Sequence, residues 1–201
     1  YFLAEILSSG MIGSNKAANL MRDIELNVFT DKDLLAFEIG IKNNIKDYSL
    51  SFTNTGNDVK KLRNIIGEKN IISKIESKKG VLNLKSIMQE ADQILIDRGD
   101  LSREIKIEMI PLIQRKIISM ANENNTPVFV ATNLLESMVS SIQPNRAEVN
   151  DVISTLQMGA NGLVLAAETA IGKYPVKSAE MIKLLINQFN EWDENTILDE
   201  I

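Results

Sequence analysis

An α/β architecture of parallel strands is expected for this chain, on three grounds. From about residue 30 onward, short β-branched runs alternate with longer stretches of helical period. The composition, 44% hydrophobic and 24% charged over 201 residues, is that of an ordinary globular domain. Successive strands with a helix between them are joined by right-handed crossovers, which make neighbouring strands parallel.

Thr30, with Asp33 three residues on, is spaced as a capping box. The helix behind it carries Leu34, Phe37 and Ile41 on one face. Tyr48 to Phe52 is a strand, and Val59, Leu62 and Ile66 mark a helix that stops at Gly67. Ile71 to Ile75 is the next strand, followed by a helix lined by Val81, Leu84 and Ile87 or Met88. Gln93 to Asp97 is a strand, and Glu108 to Asn124 a helix that turns Ile110, Ile113, Ile117 and Met120 or Ala121 inward. Pro127 to Ala131 and Asn161 to Ala166 are the last strands, with helices opening near Arg146 and at Pro175. The final helix carries Ile182, Leu185 and Phe189. Met88, Met109, Met120 and Met138 read as core filler. Residues 1–29 differ: Tyr1 to Leu7 reads as a strand, Ser8-Ser9-Gly10 as a turn and Ser14 to Met21 as loop.

Five βα units fit an open sheet and also the later five-eighths of a (β/α)8 barrel; periodicity does not choose between them. No Gly-rich dinucleotide loop and no P-loop are present. With 22 basic and 27 acidic residues the net charge is −5, and no concentrated basic surface points to nucleic acid. Cysteine and histidine are both absent, which excludes thiolate metal sites, histidine-ligated zinc and a Ser-His-Asp triad. Catalysis must use carboxylates, lysine, hydroxyls, backbone amides or a hard metal ion. The stretch Val152 to Ala167 is too short and polar to span a bilayer, and no signal peptide is visible, so a cytoplasmic location is expected.

Reactive groups of parallel α/β folds collect at the C-terminal strand ends. Lys74 and Glu76, two residues apart, share a strand face, with Cα atoms roughly 6–7 Å apart. Both a strand-end ion pair and a ligand site satisfy that spacing. In Asp97-Arg98-Gly99-Asp100-Leu101, Gly99 permits close backbone approach, and Asp100 can join Glu76 on a hard divalent ion or serve as a helix cap. Thr132, after the strand ending at Ala131, can donate its hydroxyl to a ligand or to nearby backbone; Glu168-Thr169 is equally open.

The ordered set Ile72-Ser73-Lys74-Ile75-Glu76-Ser77, Arg98-Gly99-Asp100-Leu101, Ala131-Thr132-Asn133-Leu134-Leu135-Glu136-Ser137-Met138, Asn145-Arg146-Ala147-Glu148 and Glu168-Thr169-Ala170-x-Gly172-x-Tyr174-Pro175 resembles the pyruvate kinase family over roughly residues 9–192. The resemblance implies a (β/α)8 TIM barrel of which this chain holds strands four to eight. It implies the end of a lid domain over residues 1–24, a partial barrel over 25–192 and a tail over 193–201. It also implies phosphoryl transfer from phosphoenolpyruvate to ADP, giving pyruvate and ATP, with Mg²⁺ (or Mn²⁺) and K⁺, in a homo-oligomer that is tetrameric in the family.

By the same resemblance, Lys74 neutralises the transferring phosphoryl group, and Glu76 and Asp100 hold the divalent ion. The amides of Gly99 and Asp100 receive the substrate carboxylate, the Thr132 hydroxyl lies beside the substrate, and Lys16 lies near the nucleotide phosphates. The family's K⁺ ligands and its phosphate-binding arginine have no counterpart in this sequence. Phosphoryl transfer needs positioning and charge neutralisation, and no histidine.

Departures from the family pattern are specific. Asp97 stands where Ala usually precedes Arg-Gly-Asp, Ser102 where Gly follows Asp-Leu, and Asn133 where Gln follows the threonine. Lys79 replaces an acidic or small polar residue, Ile171 a lysine, and Thr53-Asn54 a stretch that usually contains a basic residue. Ala166 replaces the serine associated with proton relay to the enolate. Two other readings are a non-catalytic relative serving binding or assembly, and a Mg²⁺-dependent lyase or aldolase acting on pyruvate.

Overall fold

A computed structural model of the chain describes residue 5 and residues 26–192. Lys16, the strand expected over Tyr1 to Leu7, most of the 1–24 unit and the 193–201 tail lie outside the described residues. Five strands form one sheet: β1 (Asp47–Leu50), β2 (Asn70–Ile75), β3 (Gln93–Asp97), β4 (Val128–Ala131) and β5 (Gly162–Val164). All four pairings are parallel and the spatial order is the chain order, β1-β2-β3-β4-β5. A doubly wound sheet reverses its order at a switch point; this one never does. Each crossover steps to the adjacent strand, as in successive units of a (β/α)8 barrel, so the structure decides between the two architectures that periodicity left open.

The helices are α1 (Asp31–Lys42), α2 (Gly56–Ile66), α3 (Lys78–Leu82), α4 (Leu84–Met88), α5 (Arg98–Leu101), α6 (Ile110–Glu123), α7 (Arg146–Gln157), α8 (Ala167–Ala170) and α9 (Pro175–Glu191). Capping boxes start three of them: Thr30 with Asp33, Thr55 with Asp58, and Asn145 with Glu148. Gly67, at φ +69°, ends α2 in the left-handed region that suits glycine. The helix expected through Val81 and Met88 is two short ones, because the chain breaks helical geometry at Asn83, whose side-chain amide reaches the Asn54 carbonyl at 3.0 Å. The helix expected from Glu108 begins as a 3-10 turn over Ile107–Met109 and becomes α-helical at Ile110, with Pro111 in its first turn.

The main core lies on one face of the sheet. Ile71 and Ile75 of β2, Ile94 and Ile96 of β3, and Val128 and Val130 of β4 pack against Val59, Leu62, Ile87, Ile117 and Ile118 of the helices. A second cluster joins Leu134, Leu135 and Met138 to Val152 of α7 and Ile182 and Leu185 of α9. Met88 and Met138 are core residues as expected, but Met109 is 43% exposed because it sits in the 3-10 turn outside the helix. On α1 Phe37 packs inward, edge-on to Phe29 and Tyr48, and Gly40 is buried against the Tyr48 ring, whereas Leu34 and Ile41 are exposed. Period-2 geometry turns Ile72, Lys74, Leu95, Asp97 and Phe129 to the opposite, half-buried face. The site is built at the C-terminal end of that face.

Candidate functional site

Strand parity places Lys74 on the half-buried face of β2, and Glu76 follows one residue past the strand end with the same parity. Lys74 Nζ lies 2.5 Å from Glu76 Oε1 and 3.3 Å from Asp97 Oδ2. Glu76 is 1% exposed, and its second oxygen accepts the Phe52 amide at 2.5 Å. Phe52 sits at φ +49°, a conformation that aims its N–H at Glu76 from the exit of β1. The neighbouring Thr53 locks this turn: its amide donates to the Lys74 carbonyl at 3.2 Å and its hydroxyl to the Leu50 carbonyl at 2.8 Å. Asn54 accepts the Ser77 hydroxyl at 2.6 Å. The Thr53-Asn54 departure thus ties together the exits of β1 and β2.

Asp97 closes β3. Its Oδ1 accepts the Thr132 hydroxyl at 2.7 Å, and its Oδ2 faces Lys74. Thr132 adopts φ +75°, a strained position for a β-branched residue, and three consecutive residues hold it there. Asp97 binds its hydroxyl. The Arg98 guanidinium donates twice to its carbonyl, at 3.0 and 2.6 Å. Gly99 makes room for it, since a Cβ there would lie 2.7 Å from Thr132 Cγ2. Gly99→Ala is expected to shift Thr132 and destabilise the fold by about 1–3 kcal/mol. Chemical denaturation checks this, and an unchanged midpoint would show that the loop yields freely.

Arg98 also pairs with Asp151 of α7 at 2.6 Å and reaches Gln114 of α6 at 3.4 Å. Asp100 lies in the single turn of α5, with Arg103 3.2 Å from its carboxylate. Glu76, Asp97 and Asp100 each offer one carboxylate oxygen, all within 4.8 Å of one another. Three hard oxygen donors with no nitrogen or sulfur suit a Mg²⁺ or Mn²⁺ ion, so the residues present fit such a cation.

Burial works against the Lys74 ammonium, but hydrogen bonding and charge from Glu76 and Asp97 outweigh it and raise its pKa above the ordinary lysine value. Lys74 is therefore a cation throughout the neutral range. Burial pushes Glu76 upward, and Lys74 and the Phe52 amide offset this only in part. Burial acts the same way on Asp97, but the Thr132 hydroxyl and Lys74 reverse it and hold its carboxyl below the usual aspartate value.

The structure places Lys74, Glu76, Gly99, Asp100 and Thr132 at the exits of neighbouring strands. The strand-end reading missed Asp97 and Arg98 as members of the cluster. Asp97 was findable, because it ends a strand with the parity that faces Lys74. Glu168 proves to be a clamp: 1% exposed, it accepts the Leu135 amide at 3.0 Å and the Ala166 amide at 2.8 Å, joining the exits of β4 and β5. Glu168→Ala leaves both amides unpaired, and a loss of about 2–4 kcal/mol is expected in a denaturant titration.

A parallel sheet in unbroken sequential order, with a lysine and carboxylates converging at its strand tips, defines a βα-barrel protein with a strand-end charged centre. The family model described as pyruvate kinase, barrel domain, matches residues 2–179. The chain belongs to the pyruvate kinase family. It is 38% identical over 181 residues to a pyruvate kinase of Candida albicans, covering 88% of this chain and 36% of that protein. A pyruvate kinase of Thermoplasma acidophilum is 36% identical over 187 residues, 90% of this chain and 34% of the relative. One from Methanocaldococcus jannaschii is 35% identical over 184 residues, 88% and 41% respectively. The chain thus spans between 34% and 41% of the length of these curated relatives. No helix among the described residues is long and apolar enough to cross a membrane.

Proposed function

We propose that this chain contributes the later part of the barrel to an enzyme that transfers a phosphoryl group from phosphoenolpyruvate to ADP. One observation carries the reading: Lys74 Nζ lies 2.5 Å from Glu76, at strand tips where Glu76, Asp97 and Asp100 bring oxygens within 4.8 Å of one another. Lys74 neutralises the phosphoryl group in transit, and Glu76 and Asp100 hold Mg²⁺ or Mn²⁺. When bound, such an ion supplies Lewis-acid stabilisation of developing oxygen charge. The amides of Gly99 and Asp100 receive the substrate carboxylate, Thr132 orients it, and Lys16 serves the nucleotide phosphates.

The same reading assigns residues 1–24 to the end of a lid domain, 25–192 to the partial barrel and 193–201 to a tail. It assigns K⁺ as a further cofactor held by groups outside this sequence, and a cytoplasmic homo-oligomer, tetrameric as in the family, as the working form. Coupled ADP phosphorylation by the longest natural chain carrying this sequence tests it. Activity that requires phosphoenolpyruvate and disappears with chelator supports the reading. Absence of turnover by that chain leaves the non-catalytic alternative, and release of pyruvate without ADP leaves the lyase.

A further inference from the structure

Asp97 is the one departure from the family pattern that places a new charge against the groups assigned to the phosphoryl donor. Its Oδ2 lies 3.3 Å from Lys74 Nζ, and its Oδ1 takes the Thr132 hydroxyl at 2.7 Å. Both of those groups are therefore already engaged by an anion that belongs to the protein. The carboxylate is 15% exposed and is held on the half-buried face of β3 by Lys74 and Thr132, so it does not simply swing into bulk water.

Glu76, Asp97 and Asp100 oppose one ammonium, Lys74, and leave two net negative charges. A divalent cation cancels them, and the loaded centre then exerts no net pull on an anion. With a neutral residue at 97, the same centre would carry one positive charge once loaded. Among the described residues, the other nearby cations do not alter this. Arg98 is spent on Asp151 and the Thr132 carbonyl, and Arg103 is half exposed and screened by solvent.

We infer that Asp97 is a specificity-determining residue of this centre: it strengthens the hold on a divalent cation and weakens the hold on a multiply charged phosphoryl donor. The inference rests on the phosphoryl-transfer reading for the identity of that donor, but not on turnover. It also makes Asp97 a positioning residue for Thr132, through the hydroxyl bond.

Asp97→Asn removes the charge and keeps an acceptor for the Thr132 hydroxyl; Asp97→Ala removes both. On the longest natural chain, Mn²⁺ binding is measured by water-proton relaxation, and phosphoenolpyruvate binding by calorimetry at saturating Mn²⁺. In both variants the Mn²⁺ Kd should rise about tenfold and the phosphoenolpyruvate Kd fall about tenfold, the scale of one neighbouring charge removed. Opposite shifts are the diagnostic result, since a merely structural defect weakens both ligands. Unchanged affinities in both variants overturn the inference. So does a change confined to Asp97→Ala, which would assign the effect to shape, or a parallel weakening of both ligands. Opposite shifts without ADP phosphorylation sustain Asp97's role and defeat the proposed activity. Phosphorylation with unaltered affinities does the reverse.

Discussion

Lys74→Met should lower kcat for ADP phosphorylation by about 10³-fold or more in the natural chain, with the fold preserved. Methionine keeps the side chain as far as Cε and removes the ammonium that, among the described residues, reaches both Glu76 and Asp97, at 2.5 and 3.3 Å. Charge neutralisation in a partly dry site is worth far more than in water, so no neighbouring group can replace it. Glu76 keeps the Phe52 amide, and its carboxyl, already pushed upward by burial, can take up a proton instead of remaining charged and unpaired. The stability cost is therefore held to about 1–3 kcal/mol. Its pH dependence has a definite sign. Without Lys74 the folded-state pKa of Glu76 rises further above its unfolded value, and the folded state then binds more protons than the unfolded state between those values. Stability is lost as pH rises through the folded pKa and recovered on acidification toward the ordinary glutamate range. Denaturant midpoints for the variant and the parent should converge as pH falls over that window. Near-normal turnover by Lys74→Met would remove Lys74 from the chemistry.

The second large effect is structural. Arg98→Ala should destabilise the chain by about 2–4 kcal/mol and lower Tm by roughly 5–12 °C. The guanidinium is 13% exposed and joins four parts of the molecule: the exit of β3, the Thr132 carbonyl after β4, Gln114 of α6 and Asp151 of α7. Its removal orphans a carbonyl in a strained turn and leaves Thr132 held through its hydroxyl by Asp97 alone. Asp151 is 36% exposed and can be rehydrated, which keeps the cost below that of a fully buried pair. Arg98→Lys should rescue little, because an ammonium cannot reproduce the fork that spans Thr132 and Asp151. Thermal unfolding measures both variants, and a Lys variant as stable as the parent would show that charge alone suffices.

Much of this was legible in the residues. The alternation of strand and helix, the capping box at Thr30 and the stop at Gly67 are local signals, set by side chains within one turn of the feature they control. The pairing of Lys74 with Glu76 is also local, because a spacing of two puts both on one side of a strand. The break at Asn83 was not legible, since the Asn54 carbonyl that draws its side chain away comes from 29 residues earlier. Nor was the exposure of Leu34 and Ile41, whose helical spacing shows that they share a face of α1 but not whether anything packs on that face.

The residues alone carried the order of elements, the shared strand face of Lys74 and Glu76, and the likeness to a family through motifs at the strand exits. Tertiary structure decided that the sheet runs in unbroken chain order, and that Asp97, Arg98 and Gly99 converge on Thr132 across more than thirty residues of chain. The reason is physical. Parity is a property of one strand, whereas the meeting of side chains from β2, β3 and β4 depends on register and turn conformation. Those are fixed only when Phe52 and Thr132 adopt left-handed backbone against neighbouring strands.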